Sequence, residues 1–443
     1  MDSPRRLQWT GDDREILRLA FPALGALIAE PLYILADTAV VGHLGTPQLG
    51  GLAIASSLLL IGHAVFIFLA YGTTSAVARL LGAGEHRRAA HQAVQSLWLA
   101  GLVGVALLAA GLTFGPALIG LLGGKGEVAT NAEIYLRISM FGVPAMLISL
   151  AGVGYLRGLQ DTSRPFYVAL GTALLNLVLE LVLIYGFDQG IGASALTTVI
   201  AQWVAAAVFV GWIRNAVADH DVNLRPDPAM IRALAGDGFD LFLRTAALRG
   251  SLTVTLAAAA RIGTDDLAAH QIAFEIWNLM ALTLDAIAIA AQAMIGRELG
   301  AGRRGRARDL GRRMTQSGVA AGVGLGAVVL ATSPILPHVF SDDDVVVGLA
   351  TFLLIHVAIS QPIAGVVFAL DGVLIGAGDL RYLAWAMGAA ALVLISGALL
   401  VLRLDAGIGW LWLALHAWII TRAVTLLARF RGDAWMVTGA TRR

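Results

Sequence analysis

RLLGAGEHRRA, residues 79–89, returns as RELGAGRRGRA at residues 297–307 of this 443-residue chain. The same displacement of 218 positions lays LGTPQLGGLAIA (44–55) on IGTDDLAAHQIA (262–273), and brings Pro144 onto Pro362, Gly158 onto Gly376 and Asp161 onto Asp379. DQGIG (188–192) meets DAGIG (405–409) one position short of it. Self-similarity that persists over half a chain marks an internal duplication, so the architecture follows from what is duplicated.

Each copy reads as a membrane domain. The chain is 58% hydrophobic and 14% charged, with a mean hydropathy of +0.77, against roughly one quarter charged residues in soluble domains. A bilayer span needs about 20 apolar residues, and twelve such segments lie between residues 14 and 430. Six fall in each half, so both halves enter from the same side and are expected to be parallel repeats around a central cavity. The expected fold is an all-α integral membrane protein of two six-helix lobes. The N-lobe covers residues 1–214, a polar cytoplasmic linker 215–232, and the C-lobe 233–443 with its tail.

With the N-terminus inside, 25 of the 31 Lys and Arg fall on inner segments, Arg5 and Arg6 among them and five at the C-terminal end. That bias places both termini in the cytoplasm. No short apolar leader with a small-residue cleavage site precedes the first span, which is expected to stay. The basic run 297–313 is the largest inner loop and needs no nucleic acid to explain it. There is no cysteine, phosphate loop, HExxH or GxSxG, so no thiolate site and no enzyme are expected. His86 and His91 read as solvated loop residues.

Polar groups inside the spans carry the chemistry. Span 1 (14–43) includes EPLYILADTAV, residues 30–40, with Glu30 and Asp37 in an apolar run. A charged residue at mid-membrane costs about 2.5–3.5 kcal/mol on insertion scales, so such residues face the bundle interior or a wet cavity. Span 5 (166–186) carries Asn176 and Glu180, and span 6 (190–213) carries Thr197, Thr198 and Gln202. Asn176 and Glu180, and Thr198 and Gln202, are four apart and share a helix face. Their repeat counterparts are not acidic: Thr255 stands for Asp37, and Val393 and Gly397 for Asn176 and Glu180. Ion chemistry is therefore expected in the N-lobe alone, with a proton or a sodium ion among these oxygens. A purely structural hydrogen-bond cluster is the other reading. Pro22 and Pro31 each remove a helix hydrogen bond from span 1 and allow it to bend.

The C-lobe charges are Arg244 and Arg249 in span 7 (233–261), Glu275 and Asp285 in span 8 (268–296), and Asp371 in span 10 (346–375). They are expected to form a salt-bridge network between those spans, with substrate contact or coupling as the alternative. Trp410 and Trp412 read as interfacial anchors, and Trp98 and Trp203 as core or cavity residues. With no nucleotide-binding motif, the energy source is an ion gradient.

PLYILADTAVVGHLGTPQLGGLA (31–53), the two LGAG turns with their basic loops and LDGVLIGAGD (370–379) resemble the multidrug and toxic compound extrusion family, in particular its DinF-like branch, over essentially the whole chain. The resemblance implies a V-shaped pair of lobes. It also implies a secondary antiporter that exports amphipathic, often cationic, organic compounds from the bacterial cytoplasm in exchange for protons or sodium. No cofactor, nucleic acid or obligate protein partner is implied beyond the coupling ion, the small-molecule substrate and membrane lipid. Carried over by position, the family's cation site falls on Asp37, Asn176, Glu180 and Thr198, its nearby tyrosines on Tyr33 and Tyr135, and its bending proline on Pro22. Glu180 stands where many relatives have Asp. In DLFLRTAALRG (240–250), Arg244 stands where the NorM branch carries an acid. Two alternatives stay open at this point: a lipid-linked saccharide flippase, which calls for several cavity arginines, and a non-transporting scaffold or intramembrane enzyme.

Overall fold

The computed structural model describes residues 11–187 and 189–441, so Arg5, Arg6 and Asp188 lie outside the described residues. Among the described residues the regular structure is entirely helical. In chain order the helices are α1 (Gly11–Gly42), α2 (Thr46–Phe66), α3 (Phe68–Gly82), α4 (His86–Leu121), α5 (Gly126–Met140), α6 (Val143–Gly158) and α7 (Ser163–Leu181). A π-helical turn (Val182–Gly186) and α8 (Ile191–Asp219) follow. The rest are α9 (Pro228–Ile262), α10 (Thr264–Gly300), α11 (Arg304–Thr332), α12 (Asp344–Gly376), α13 (Leu380–Arg403) and α14 (Ile408–Arg431).

Each of the twelve expected segments falls on one helix or on two consecutive ones. Among the described residues, nine helices are long and apolar enough to cross a membrane, and the pair α5–α6, bent by 48°, makes a tenth. Pro144, which has no amide hydrogen to donate, sits in the first turn of α6 just after the bend, where that loss costs least. The other two expected segments lie on α2–α3, interrupted at Ile67, and on α9, which carries Asp240, Arg244 and Arg249.

The duplication recurs as helix contacts. Helices α3 and α10 both end in LGAG, where Gly84 and Gly302 adopt φ +76° and +79°. The turns close with the same bonds, Glu85 N to Leu80 O at 2.9 Å and Arg303 N to Glu298 O at 3.0 Å. Such left-handed caps favour glycine, which has no Cβ to clash. A Cβ on Gly154 of α6 would lie 2.5 Å from the Ala70 oxygen of α3, and one on Gly372 of α12 would lie 2.4 Å from the Ala288 oxygen of α10. All four positions correspond under the 218-residue displacement. Likewise Gly104 meets Pro144, and Gly322 meets Pro362.

Helix α11 carries the longest of these seams. A Cβ at Gly318, Gly322 or Gly326 would approach the oxygens of Gly365, Gln361 and Ala358 to 2.3, 2.3 and 2.6 Å. Small residues four apart let helix backbones touch where lipid supplies no hydrophobic drive for association. This GxxxGxxxG run is therefore spent within the chain.

The chain divides into two compact units, an N-terminal one of residues 25–239 and a C-terminal one of residues 240–443 that also takes the start of α1, up to Leu24. These boundaries fall inside α1 and α9 rather than at the polar linker. One reason is that Asp12 and Asp13, at the start of α1, pair with Arg306 and Arg313 of α11. The other is that the linker is tied to α4. Trp98 Nε1 donates to Leu224 O at 2.9 Å, Gln95 Nε2 to Arg225 O at 3.1 Å, and Asp227 N to Gln95 Oε1 at 2.8 Å. The basic run 297–313 likewise finds acidic partners, with Arg303 on Glu298 and Arg308 on Asp433.

One tryptophan expectation needs correction. Trp410 is 63% exposed, but Trp412 is 3% exposed and packs in an apolar core with Ala350, Leu353, Leu354 and Leu411. Two residues apart on a helix, they point about 200° apart around the axis, and only one can face outward.

Gly322→Leu is expected to force α11 from α12 and lower thermal stability by at least about 1–3 kcal/mol, the usual range for overpacking. Gly324→Ala on the same helix, with open space around it, should leave the melting temperature unchanged or raised. Thermal unfolding of both proteins in detergent, followed by tryptophan fluorescence, checks the pair.

Candidate functional site

Three helices of the N-terminal unit each present two polar side chains one turn apart: Tyr33 and Asp37 on α1, Asn176 and Glu180 on α7, and Ser194 and Thr198 on α8. Residues four apart share a helix face, so each helix contributes a short polar stripe, and the fold brings the three stripes together. Close packing helps: at Gly25 of α1 a Cβ would lie 2.6 Å from the Phe166 ring of α7.

The hydroxyl of Thr198 is the hub. Tyr33 Oη lies 2.6 Å from it, and Asn176 Nδ2 donates to it at 3.1 Å and to Thr197 Oγ1 at 3.3 Å. Thr198 itself donates to the Ser194 carbonyl at 3.1 Å. Ser194 Oγ donates to Asp37 Oδ1 at 2.5 Å, and Asp37 also faces Glu180 and the Tyr135 hydroxyl of α5. Asp37, Asn176, Glu180 and Tyr135 are 5%, 2%, 0% and 3% exposed, which puts two carboxyl groups side by side out of contact with water. Both oxygens of Glu180 and Oδ1 of Asn176 lack a hydrogen-bond donor.

The site is closed on one side by apolar packing. Val40, Ile184 and Ala193, each within a turn of the polar residues, form a buried cluster with Leu44, Leu177 and Leu183. Directly after Glu180, α7 widens into the π-helical turn at Val182–Gly186. Such turns recur at functional sites because they re-aim the residues around them.

The structure therefore gathers Asp37, Asn176, Glu180, Thr198, Tyr33 and Tyr135. Gln202 takes another position: its Oε1 occupies the space a Cβ at Gly142 would need, 1.9 Å away. Pro22 lies in α1 among the residues that belong with the C-terminal unit, and α1 is helical through both Pro22 and Pro31. Glu30 is exposed. Ser194 is the residue the sequence reading missed, and its signal was available, one turn before Thr198. Among the described residues no group of three or more His, Asp or Glu is placed to hold a metal ion. The donor set is instead two carboxyl groups with an amide and hydroxyls, the oxygen chemistry that protons and hard cations favour.

In the C-terminal unit the expected charges of spans 7 and 10 pair, and a third charge joins them. Asp371 Oδ2 accepts from Arg244 of α9 and from Arg422 of α14, each at 2.6 Å. These ion pairs join spans 7 and 10, as expected, and bring in span 12 as well. Glu275 and Arg249 are exposed and Asp285 is half-buried. Arg422, counted from sequence with the cytoplasmic charge, is 3% exposed. Its signal was a single charge inside the apolar run WIITRAVTLL (418–427). Two guanidinium groups thus share one buried carboxylate.

Comparisons with known proteins agree with one another. A sequence model of the MatE family matches residues 22–182 and 242–400, one segment in each half of the duplication. Protein DETOXIFICATION 44, chloroplastic, of Arabidopsis thaliana is 32% identical over 430 residues, covering 93% of this chain and 80% of that one. DNA damage-inducible protein F of Escherichia coli strain K12 is 29% identical over 433 residues, covering 95% and 93%. Among solved structures, a MATE protein in complex with MaD3S superposes with a TM-score of 0.87 at 21% identity, over 96% of this chain and 97% of that one. At that identity the likeness speaks for the fold alone.

Thr198→Val should deprive the half-buried Tyr33 hydroxyl and the Asn176 amide of their shared partner and cost about 1 kcal/mol, the usual net worth of a hydrogen bond. Adding Tyr33→Phe, which removes the stranded hydroxyl, should recover part of that loss. Melting temperatures of the two single variants and the double variant check the hub.

Proposed function

The chain belongs to the MatE family of multidrug and toxin efflux transporters, and from that premise we propose that it is a cation-coupled antiporter whose ion site is the cluster around Asp37 and Glu180. The observation that carries this reading is the pair of buried carboxyl groups on α1 and α7, with no Lys, Arg or His among their described partners. Two such groups repel when both are charged and share the cost of leaving water, so a proton or cation between them stabilises the pair. Tyr33, Tyr135, Asn176, Ser194 and Thr198 supply the remaining oxygens.

In the proposed cycle, uptake of the ion removes the repulsion between α1 and α7, and its release restores it. Two arrangements of the same helices then differ in stability by what the ion contributes, which is what a coupling device requires. Asp37 is the carrier, Glu180 its partner, and the Tyr33–Thr198–Asn176 hydrogen bonds transmit the change along α1, α7 and α8. The ion is a proton or sodium. The exported compounds are amphipathic organic molecules, cations among them, as the resemblance to the DinF-like branch implies. We place the protein in the bacterial cytoplasmic membrane with both termini inside, on the strength of its basic inner loops. One proton moving down 100 mV releases about 2.3 kcal/mol and each pH unit adds about 1.4 kcal/mol, enough to sustain an export gradient.

Purified wild type, Asp37→Asn and Glu180→Gln reconstituted in vesicles should separate under imposed gradients. Wild type should expel ethidium in response to a pH gradient or a sodium gradient. Both variants should lose at least tenfold of the gradient-driven rate, an amount of about 1.4 kcal/mol or more in the coupled step, while remaining folded by size-exclusion chromatography. Transport by the variants at the wild-type rate would make the carboxyl pair structural.

A further inference from the structure

Toward one end of its helices, the carboxyl pair on α1 and α7 is covered by one layer of apolar side chains. Val40 lies three residues after Asp37, Ile184 four after Glu180, and Ala193 four before Thr197. Each therefore stands about one helical turn, roughly 5 Å, beyond its polar neighbour. All three lie toward the same end, where α1 finishes at Gly42, the π-helical turn finishes at Gly186 and α8 begins at Ile191. The three side chains are buried against one another.

Open space lies against that layer. A crevice of about 380 Å³, with room for about ten waters, runs between the π-helical turn and the start of α8. It is walled by Leu183 and Phe187 on the first side, Gln189 and Gly190 in the connection, and Ala193 and Leu196 on α8. Leu183 and Ala193 belong to both sets, walling the crevice and packing in the layer. Ala193 is followed by Ser194, whose Oγ donates to Asp37 Oδ1 at 2.5 Å. One side chain's depth thus separates the crevice from the carboxyl pair.

The layer is weakest on the crevice side. Ala193 contributes a single methyl group, and Ile184 sits in the middle of the π-helical turn, a widened form of helix that is rare outside functional sites. Beneath it, both buried oxygens of Glu180 lack a donor. The proton or cation that would satisfy them has to arrive from water, since hydrocarbon carries neither.

We propose that this crevice is the mouth through which the coupling ion, a proton or a small cation, reaches Asp37 and Glu180, and that Val40, Ile184 and Ala193 are the gate across it. The proposal rests on the coupling role argued above for the carboxyl pair. In the orientation proposed there, with both termini inside, the α7–α8 connection faces outward, the side from which the ion is taken up.

The chain has no cysteine, so an introduced thiol can be labelled alone. In lipid nanodiscs, Leu196→Cys is expected to react with the water-soluble reagent 2-(trimethylammonium)ethyl methanethiosulfonate within about tenfold of the rate of Gln189→Cys, because both thiols ionise in water. Ala193→Cys should react more slowly, and adding Ile184→Ala should raise its rate about tenfold. In vesicles, the same label attached to Leu196→Cys before reconstitution should lower gradient-driven ethidium efflux by at least about tenfold. Dithiothreitol should restore the rate, and methyl methanethiosulfonate, which adds back little more than the bulk of the lost leucine, should leave it unchanged. A Leu196→Cys rate about a thousandfold below that of Gln189→Cys would mean that lipid fills the crevice. Undiminished efflux after complete labelling would mean that the ion enters elsewhere, and an Ala193→Cys rate indifferent to Ile184→Ala would remove the gate. Any of these overturns the proposal. The label is attached after folding, so its effect on efflux is not a folding defect. Asp37→Asn keeps two failures apart: if it is inactive while the labelled protein is active, the route falls and the coupling role stands, whereas an active Asp37→Asn sinks the coupling role itself.

Discussion

A carboxylate within the apolar layer of a membrane must be surrounded by hydrogen-bond donors or opposite charge, because hydrocarbon supplies neither. That constraint organises both units. In the N-terminal unit it sets the rotation of three helices: α1, α7 and α8 must each turn a polar stripe inward, and Ser194, Thr198 and Asn176 then form a continuous hydrogen-bonded set beside Asp37. In the C-terminal unit the same constraint is met by charge, since Asp371 binds two guanidinium groups.

The two solutions have opposite consequences. Neutral hydroxyls and amides satisfy part of the acceptor capacity around Asp37 and leave both Glu180 oxygens without a donor, which is the feature the proposed coupling role rests on. Two arginines on Asp371 over-satisfy it, and a buried, paired carboxylate of this kind is costly to disturb. The acidic pair and the doubly held acid sit on units that descend from one repeated sequence. The duplication preserved the scaffold while the polar residues diverged, as the replacement of Asp37 by Thr255 in the second copy shows.

That scaffold depends on backbone contact rather than on bulky cores. Gly154 on Ala70 and Gly372 on Ala288 are the same junction in the two copies, and each fixes the axial offset of its helix pair. The copies part at proline: helix α12 continues through Pro362, whereas the segment holding Pro144 breaks into α5 and α6. Tyr135, near the end of α5, faces Asp37. Dispersion between touching backbones is short-ranged, so an added methyl group at such a junction displaces a whole helix.

Length, composition and a 218-residue self-similarity determined an all-helical membrane protein built from two copies of one unit, because hydropathy and repeats are properties of the linear chain. The four-residue spacings of Asn176 with Glu180 and of Thr198 with its neighbours were legible for the same reason: helical phase is local. Only the tertiary structure decided which stripes meet. Ser194 became a partner of Asp37 and Gln202 did not, although both are one turn from Thr198. Arg422 moved from the count of cytoplasmic charge to the heart of an ion pair, and Trp412 from the interface to the core. In each case the deciding quantity was the rotation and depth of one helix against another. That is set by where glycines allow backbones to touch, and no single stretch of sequence contains it.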